Sequence, residues 1–284
     1  MYPGYSRRYI GLNPRGQRNS PYCRHVGDQH WAAREVRRNR LLFTESEYKS
    51  MREGYCYRDP DCQFRIVATS GLEGKFSGQY AGIFPKKVPA AFSHGLNLRR
   101  FEMVVQAVFA AANHAEVHGN ITSDHVMNLK EIVCAIVHWK MASQGGRANL
   151  KVDNLRAKWG NDTAKKLIIA YRRKELKLSE IGGVRIPTGT AFLRFLFPDE
   201  HGIMDSRVVR FTQEKNITRL DLRDDGYIKD THKNREQYSK SYNPFLISEA
   251  RQLNKCGAMF EDVDENGNLV KSKFRPCDIE MALF

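Results

Sequence analysis

Few residues in this chain are placed to do chemistry, and Asp205 is the most suggestive. It stands in Ile203-Met204-Asp205-Ser206-Arg207-Val208-Val209-Arg210, between a loop and a run with helical apolar spacing. An aspartate there is a favoured helix cap. A carboxylate fixed at such a point can also stabilise positive charge building on a bound molecule, or orient and deprotonate a water. The two roles are compatible. Lys140 stands at the end of a partly apolar helix. A lysine there can be desolvated and made reactive, or it can snorkel and complement the helix dipole. Trp139 beside it either lines a pocket for a planar ligand or fills the core.

Other clusters lack the spacing their chemistry needs. Cys23 with His25, and Cys56 with Cys62, match no zinc pattern. His114, His118, His125 and His138 do not form an HExxH pair, and Gly71–Gly78 has glycines but not the GxxxxGK[ST] spacing of a phosphate loop. Asp262–Asn268 lacks calcium-loop spacing and reads as a turn between short strands. No metal and no cofactor is expected.

The elements that would position Asp205 lie in Leu178–Arg210. A helix is expected to end near Glu180, and Gly182-Gly183 permits a tight turn. Pro187 suits a first helical position, and Ala191, Phe192, Leu193, Phe195 and Leu196 make the next helix apolar nearly all round, hence buried. The result is helix, short hairpin, helix. Amides at such a hairpin can hold a phosphate without reading sequence. A loop, Asp199–Met204, leads to Asp205 and a helix over Ser206–Phe211. Upstream, Met103, Val104, Ala107, Val108 and Ala111 predict an amphipathic helix over Phe101–His114. Ser123-Asp124 is expected to cap a helix over Val126–Met141, whose stripe is Met127, Ile132, Val133, Ile136 and Val137. Asn161-Asp162-Thr163 is expected to cap a helix through Ala164, Leu167, Ile168 and Tyr171, with Lys165, Lys166, Arg172, Arg173 and Lys174 on its other face.

The chain has 284 residues and a formal net charge of +14. A balance this basic favours polyanionic partners, nucleic acid foremost. Six scattered cysteines without a CxxC pair fit a reducing cytoplasm, with nucleoid association if the source is bacterial. No stretch approaches the roughly 18 apolar residues of a membrane span. Residues 1–40 are rich in arginine with interleaved Tyr2, Tyr5, Tyr9, Tyr22 and Trp31. They read either as a nucleic-acid grip or as a solvated arm.

The order of hairpin, buried helix, proline-containing loop, apolar residue, Asp, two residues, apolar residue and Arg resembles the helix-hairpin-helix DNA glycosylase superfamily, the group of endonuclease III and 8-oxoguanine DNA glycosylase. Within it, the chain is similar to a branch with a Trp-Lys pair, here Trp139-Lys140. That branch also has a hairpin segment, here Gly183-Val184-Arg185-Ile186-Pro187-Thr188, and a tail, here Arg275-Pro276-Cys277-Asp278-Ile279-Glu280-Met281-Ala282-Leu283-Phe284. The similarity spans roughly residues 100–284. It implies that Asp205 is a catalytic carboxylate acting on a base rotated out of duplex DNA. It also implies that Gly182, Gly183, Val184, Arg185 and Thr188, with Arg207 and Arg210, contact DNA. Two departures stand out. Arg185 replaces a hairpin glycine, and no lysine follows the hairpin, which excludes a Schiff-base step from that position.

The expectation is therefore a mainly α protein. A basic, irregular N-terminal extension, residues 1–97, precedes a helix-hairpin-helix glycosylase-like domain, residues 98–284. The implied activity is a metal-independent, monofunctional DNA glycosylase hydrolysing the bond between a damaged or modified base and its sugar. Asp205 and Lys140 would be catalytic and Trp139 would line the pocket. The alternative is a catalytically inactive DNA-binding module of a repair or phage-defence system. Double-stranded DNA is the expected partner in both.

Overall fold

The computed structural model describes residues 41–54, 98–141, 146–174, 185–264 and 268–284. The fold is mainly helical. In chain order the helices are α1 (Glu45–Gly54), α2 (Leu98–Val117), α3 (Ser123–Met141), α4 (Gly146–Ala157), α5 (Asn161–Arg173), α6 (Ile186–Leu196), α7 (Ser206–Glu214), α8 (His232–Gln237), α9 (Asn243–Lys255) and α10 (Pro276–Leu283). A wide π turn, Tyr238–Tyr242, joins α8 to α9. Strands β1 (Phe260–Val263) and β2 (Leu269–Ser272) form the antiparallel hairpin expected around Asp262–Asn268, with Phe260 opposite Ser272.

Apolar spacing positions the helices, with two shifts. In α2 the buried face is Leu98, Phe101, Val105, Val108, Phe109 and Ala112. Met103 and Ala107, expected on that face, point outward, and Met103 is 52% exposed. The two phenylalanines carry the largest apolar area on the helix, and their burial sets its rotation. The start of α3 also moves. Thr122, not Ser123 or Asp124, caps it, with Thr122 Oγ1 accepting from the His125 amide at 3.5 Å and His125 Nδ1 accepting from the Thr122 amide at 3.2 Å. In α5 the cap position is Gly160 and no side chain bonds there, so Asn161-Asp162-Thr163 form the first turn rather than the cap. The expected helix end near Glu180 lies outside the described residues.

Buried side chains form two clusters. One gathers α2, α3 and α5 around Phe101, Phe109, Ile132, Ile136 and Leu167. The other gathers α7, α9 and the hairpin around Val208, Tyr242, Leu246, Leu253 and Phe260. Helix α6 serves both: Phe192 and Phe195 face the first, and Ile186 and Leu193 face the second. Its all-round apolar sequence is therefore the wall between two half-cores. Helix α10 is shared in the same way, with Cys277 and Met281 on one side and Ile279 and Ala282 on the other.

Along this seam runs a buried ionic network. Arg194 of α6 pairs with Glu102 of α2 at 2.6 Å, and Glu102 also receives Arg275 at 3.0 Å. Arg275 pairs with Asp278 at 2.9 Å, Asp278 with Arg52 at 3.1 Å, and Arg99 with Asp262 at 2.6 Å. Asp278 Oδ2 also accepts the Arg275 amide at 3.0 Å, so the Arg-x-x-Asp tail is a helix cap and a junction of charges. Helix α1 lies within residues 1–97, the segment expected as an extension. It nevertheless packs on α10: Arg52 is fully buried in the network, and the Tyr48 hydroxyl donates to Glu249.

Removing one partner from a buried pair leaves its charge uncompensated. Asp278→Asn is therefore expected to lower the urea-unfolding free energy by about 3–5 kcal/mol at neutral pH. Burial opposes ionisation of Asp278, but Arg275 and Arg52 hold its carboxyl well below the usual carboxylate range. Its contribution is present above the unfolded-state pKa and is lost as pH falls. The gap between wild type and variant should narrow in acid below about pH 4.

Candidate functional site

The loop between α6 and α7 crosses the seam, and side chains take several of its backbone polar groups between Glu200 and Met204. The Glu200 carbonyl accepts from Asn243 Nδ2 at 2.7 Å, and Asn243 Oδ1 accepts from the Gly202 amide at 3.2 Å. The Tyr238 hydroxyl donates to the Gly202 carbonyl at 3.0 Å and the Tyr242 hydroxyl to the Ile203 carbonyl at 2.6 Å. The Glu280 carboxyl bonds the backbone of Ile203. Thr190 Oγ1 accepts from the Met204 amide at 3.0 Å and donates to the Pro187 carbonyl at 3.1 Å. A side chain at Gly202 would force Leu246 to shift and would press on the Glu280 Cβ and the Pro276 carbonyl. The loop is thus fixed by α6, the π turn, α9 and α10 together.

This loop delivers Asp205. Its Oδ1 accepts from the Arg207 amide at 3.0 Å, capping α7 as the sequence predicts. Its Oδ2 accepts from Lys140 Nζ at 2.6 Å. The two oxygens divide the work, so capping leaves the second free for a charged partner. Lys140 comes from the last turn of α3, 65 residues earlier, and both side chains are nearly buried, 12% exposed for the lysine and 13% for the aspartate. Burial by itself would raise the Asp205 carboxyl. The Lys140 charge and hydrogen bond, with the Arg207 amide and guanidinium, outweigh it and hold the group below its ordinary value. The fold therefore keeps a carboxylate ionised in a poorly hydrated place.

Around the pair, Arg207 lies at the surface with its guanidinium 3.6 Å from the centre of the Phe284 ring and its Nε 3.5 Å from Asp205 Oδ1. Trp139 is half-buried and meets Phe195 edge-on at 5.0 Å, a packing role in the first half-core. Glu280, buried behind the pair, has a carboxyl that burial pushes up to about 8 despite the charges of Lys140 and Arg194.

The other expected contact residues sit apart from the pair. Gly182, Gly183 and Val184 lie outside the described residues. Arg185 is exposed and takes the cap position of α6 in extended backbone, where no side chain satisfies the first amides. Thr188, one turn on, is 7% exposed and offers little surface. Arg210 is exposed, with its guanidinium against the Gly226 turn. Lys151 of α4, unsuspected from sequence, is Arg185's neighbour. Desolvation foremost, and the Arg185 charge after it, lower its ammonium below the usual lysine range.

The sequence pointed to Asp205 and Lys140 through the resemblance but not to the scaffold that joins them. Thr190 sat inside the motif without a partner to suggest its role. Tyr238, Tyr242 and Asn243 have no periodic signal linking them to a loop some 40 residues away, and Glu280 was one acidic residue in a tail. Among the described residues, no group of three His, Cys, Asp or Glu side chains is placed to hold a metal ion, and no helix is long and apolar enough to cross a membrane.

Two measurements test this geometry. Tyr242→Phe leaves the buried Ile203 carbonyl unpaired and is expected to cost about 1–3 kcal/mol in chemical denaturation. Lys140→Met removes the strongest influence holding Asp205 ionised, so carboxyl-resolved NMR should show the Asp205 midpoint moving upward. The stability from Asp205 is present above its unfolded-state pKa and fades as pH falls through the depressed folded value. In Lys140→Met that loss should begin at higher pH.

Comparison of the chain with protein-family models, with curated proteins and with solved structures returned no match.

Proposed function

We propose that this protein is a DNA N-glycosylase that hydrolyses the bond between a damaged or modified base and its deoxyribose, without a metal and without a covalent lysine intermediate. The observation that carries the reading is the meeting of Asp205 and Lys140 at 2.6 Å. They come from two segments 65 residues apart, both part of the one resemblance that suggested such an enzyme. A helix-hairpin-helix glycosylase-like arrangement about α6 agrees with the mainly helical fold and with the buried character of that helix.

Cleavage of an N-glycosidic bond builds positive charge on the sugar. An ionised carboxylate in a poorly hydrated site stabilises that charge and can orient the attacking water. Asp205 is held ionised for this role. Lys140, while paired, is an ammonium with no lone pair to attack a sugar carbon, which agrees with a single-function hydrolytic reaction. Its four-carbon stem lets it turn to a DNA phosphate when duplex arrives, leaving the carboxylate to face the sugar. Arg185 and Lys151 hold a phosphate near the start of α6, and Arg207 and Arg210 extend the basic surface. A flipped base would enter beside Trp139.

A second reading follows from the same pair. Both oxygens of Asp205 are satisfied, one by the cap and one by Lys140, which is also how a purely structural aspartate would look. The protein would then be a DNA-binding module without catalysis, within a repair or phage-defence assembly.

Abasic-site formation on a panel of damaged and modified duplexes separates the readings. Base release by wild type and its loss in Asp205→Asn, with binding intact, is the expected result. Salt-sensitive binding without release from any duplex would favour the binding module. Arg185→Ala and Lys151→Ala should each weaken binding on all sequences alike and reduce the slope of log affinity against log salt by about one. An unchanged slope would remove these residues from the interface.

A further inference from the structure

Arg207 is a surface arginine that the structure nevertheless holds on two sides. Its side chain is 60% exposed, yet its guanidinium lies over the Phe284 ring, 3.6 Å from the centre. Its Nε is 3.5 Å from Asp205 Oδ1, and its own amide is the one that Asp205 caps at 3.0 Å. One face of the guanidinium is thus tied to a ring and its near edge to the aspartate. Among the described residues, its two terminal nitrogens, Nη1 and Nη2, meet no acceptor. Phe284 follows α10, the helix shared by the two half-cores. Leu283 before it packs on the second half-core, whereas the Phe284 ring, 36% exposed, carries the guanidinium.

A phosphodiester that approaches Asp205 meets a carboxylate, and like charges repel. A cation between them offsets that repulsion best when it is already in place, because a free arginine loses rotamer freedom at each binding event. Left free, Arg207 would also close onto Asp205 and present nothing outward. The ring opposes this. With one face of the guanidinium on Phe284, Nε stands 3.5 Å from Oδ1, against 2.6 Å for Lys140 at Oδ2, and the fork of Nη1 and Nη2 is left open. Such a fork matches two oxygens of a phosphate. The chain's net charge of +14 favours the phosphates of a polyanion over an isolated carboxylate. We propose that Phe284 is a positioning residue: it holds Arg207 as a two-pronged clamp for the nucleic-acid phosphodiester beside the sugar that faces Asp205. This rests on Asp205 as the reactive carboxylate.

Binding of a duplex that carries the neutral tetrahydrofuran abasic analogue tests this without turnover. Wild type, Phe284→Leu, Arg207→Ala and the double variant form a cycle. Phe284→Leu should weaken binding about two- to fivefold when Arg207 is present, the worth of an exposed cation–π contact, and change nothing in Arg207→Ala. Phe284→Tyr keeps the ring and should bind as wild type does. Neutral methylphosphonates placed in turn on either side of the analogue identify the phosphate: one of them should weaken wild type more than Arg207→Ala. Equal losses from Phe284→Leu with and without Arg207 would mark a purely structural ring and overturn the proposal. So would a wild type that does not bind the duplex, or methylphosphonates that affect both proteins alike. Should Phe284→Leu fail to fold, ¹⁵N relaxation of the Arg207 Nε–H in wild type takes its place. An order parameter above about 0.6 is expected, and a lower value, that of a flexible group, would overturn the clamp. Coupled losses without base release from any duplex would support the clamp and defeat the glycosylase reading. Base release with uncoupled losses would do the reverse.

Discussion

Backbone from Gly202 to Met204 is buried, and its amides and carbonyls must be satisfied there by protein. An unpaired buried peptide group costs as much as a lost hydrogen bond or more. Five side chains from four separate elements meet this demand: Thr190, Tyr238, Tyr242, Asn243 and Glu280. None of them can be chosen for its own helix alone. Their joint requirement fixes α6, the π turn, α9 and α10 around one loop, and the loop places Asp205 within reach of Lys140 at the end of α3.

The seam explains the unusual amount of buried charge. Two apolar half-cores meet along α6 and α10, and the seam carries four arginines with Glu102, Asp262 and Asp278. Such pairs cost desolvation and contribute little net stability when complete, yet removing one partner is expensive. They act as registers. Arg52 brings α1 onto α10, Arg99 ties α2 to the β hairpin, and Arg275 joins both to Glu102. Lys140 and Asp205 belong to this pattern of opposed charges across the seam. They differ in lying near its edge, with some access to solvent and with Arg207 beside them.

What the sequence made legible was local. The buried character of α6 followed from its all-round apolar composition, Asp205 as a cap from residue type and position, and the β hairpin from its turn. Lys140 was visible as a residue of interest but not as the partner of Asp205, because nothing in a single chain ties two positions 65 residues apart. The face of α2 was misjudged where Met103 and Ala107 matched the helical period as well as the true core positions did. Bulk decided between them once Phe101 and Phe109 had a cavity to fill. The tail's Arg275 and Asp278 carried a motif whose meaning is structural: they bind each other, Arg52 and Glu102. The helix over Glu45–Gly54 escaped detection because its anchors, Tyr48 and Arg52, are polar or charged and become core only when Glu249 and Asp278 receive them.

In the proposed reaction Asp205 presents fixed negative charge to a sugar that becomes cationic. The most direct measurement needs no knowledge of the base removed. Affinity is compared for two duplexes, one with a positively charged pyrrolidine at an abasic position and one with the neutral tetrahydrofuran analogue. Wild type should prefer the cationic mimic by about tenfold or more, as a site built for a cationic transition state would, and Asp205→Asn should lose that preference. Equal affinity of wild type for both duplexes would contradict the account and leave Asp205 as a cap and a structural ion pair.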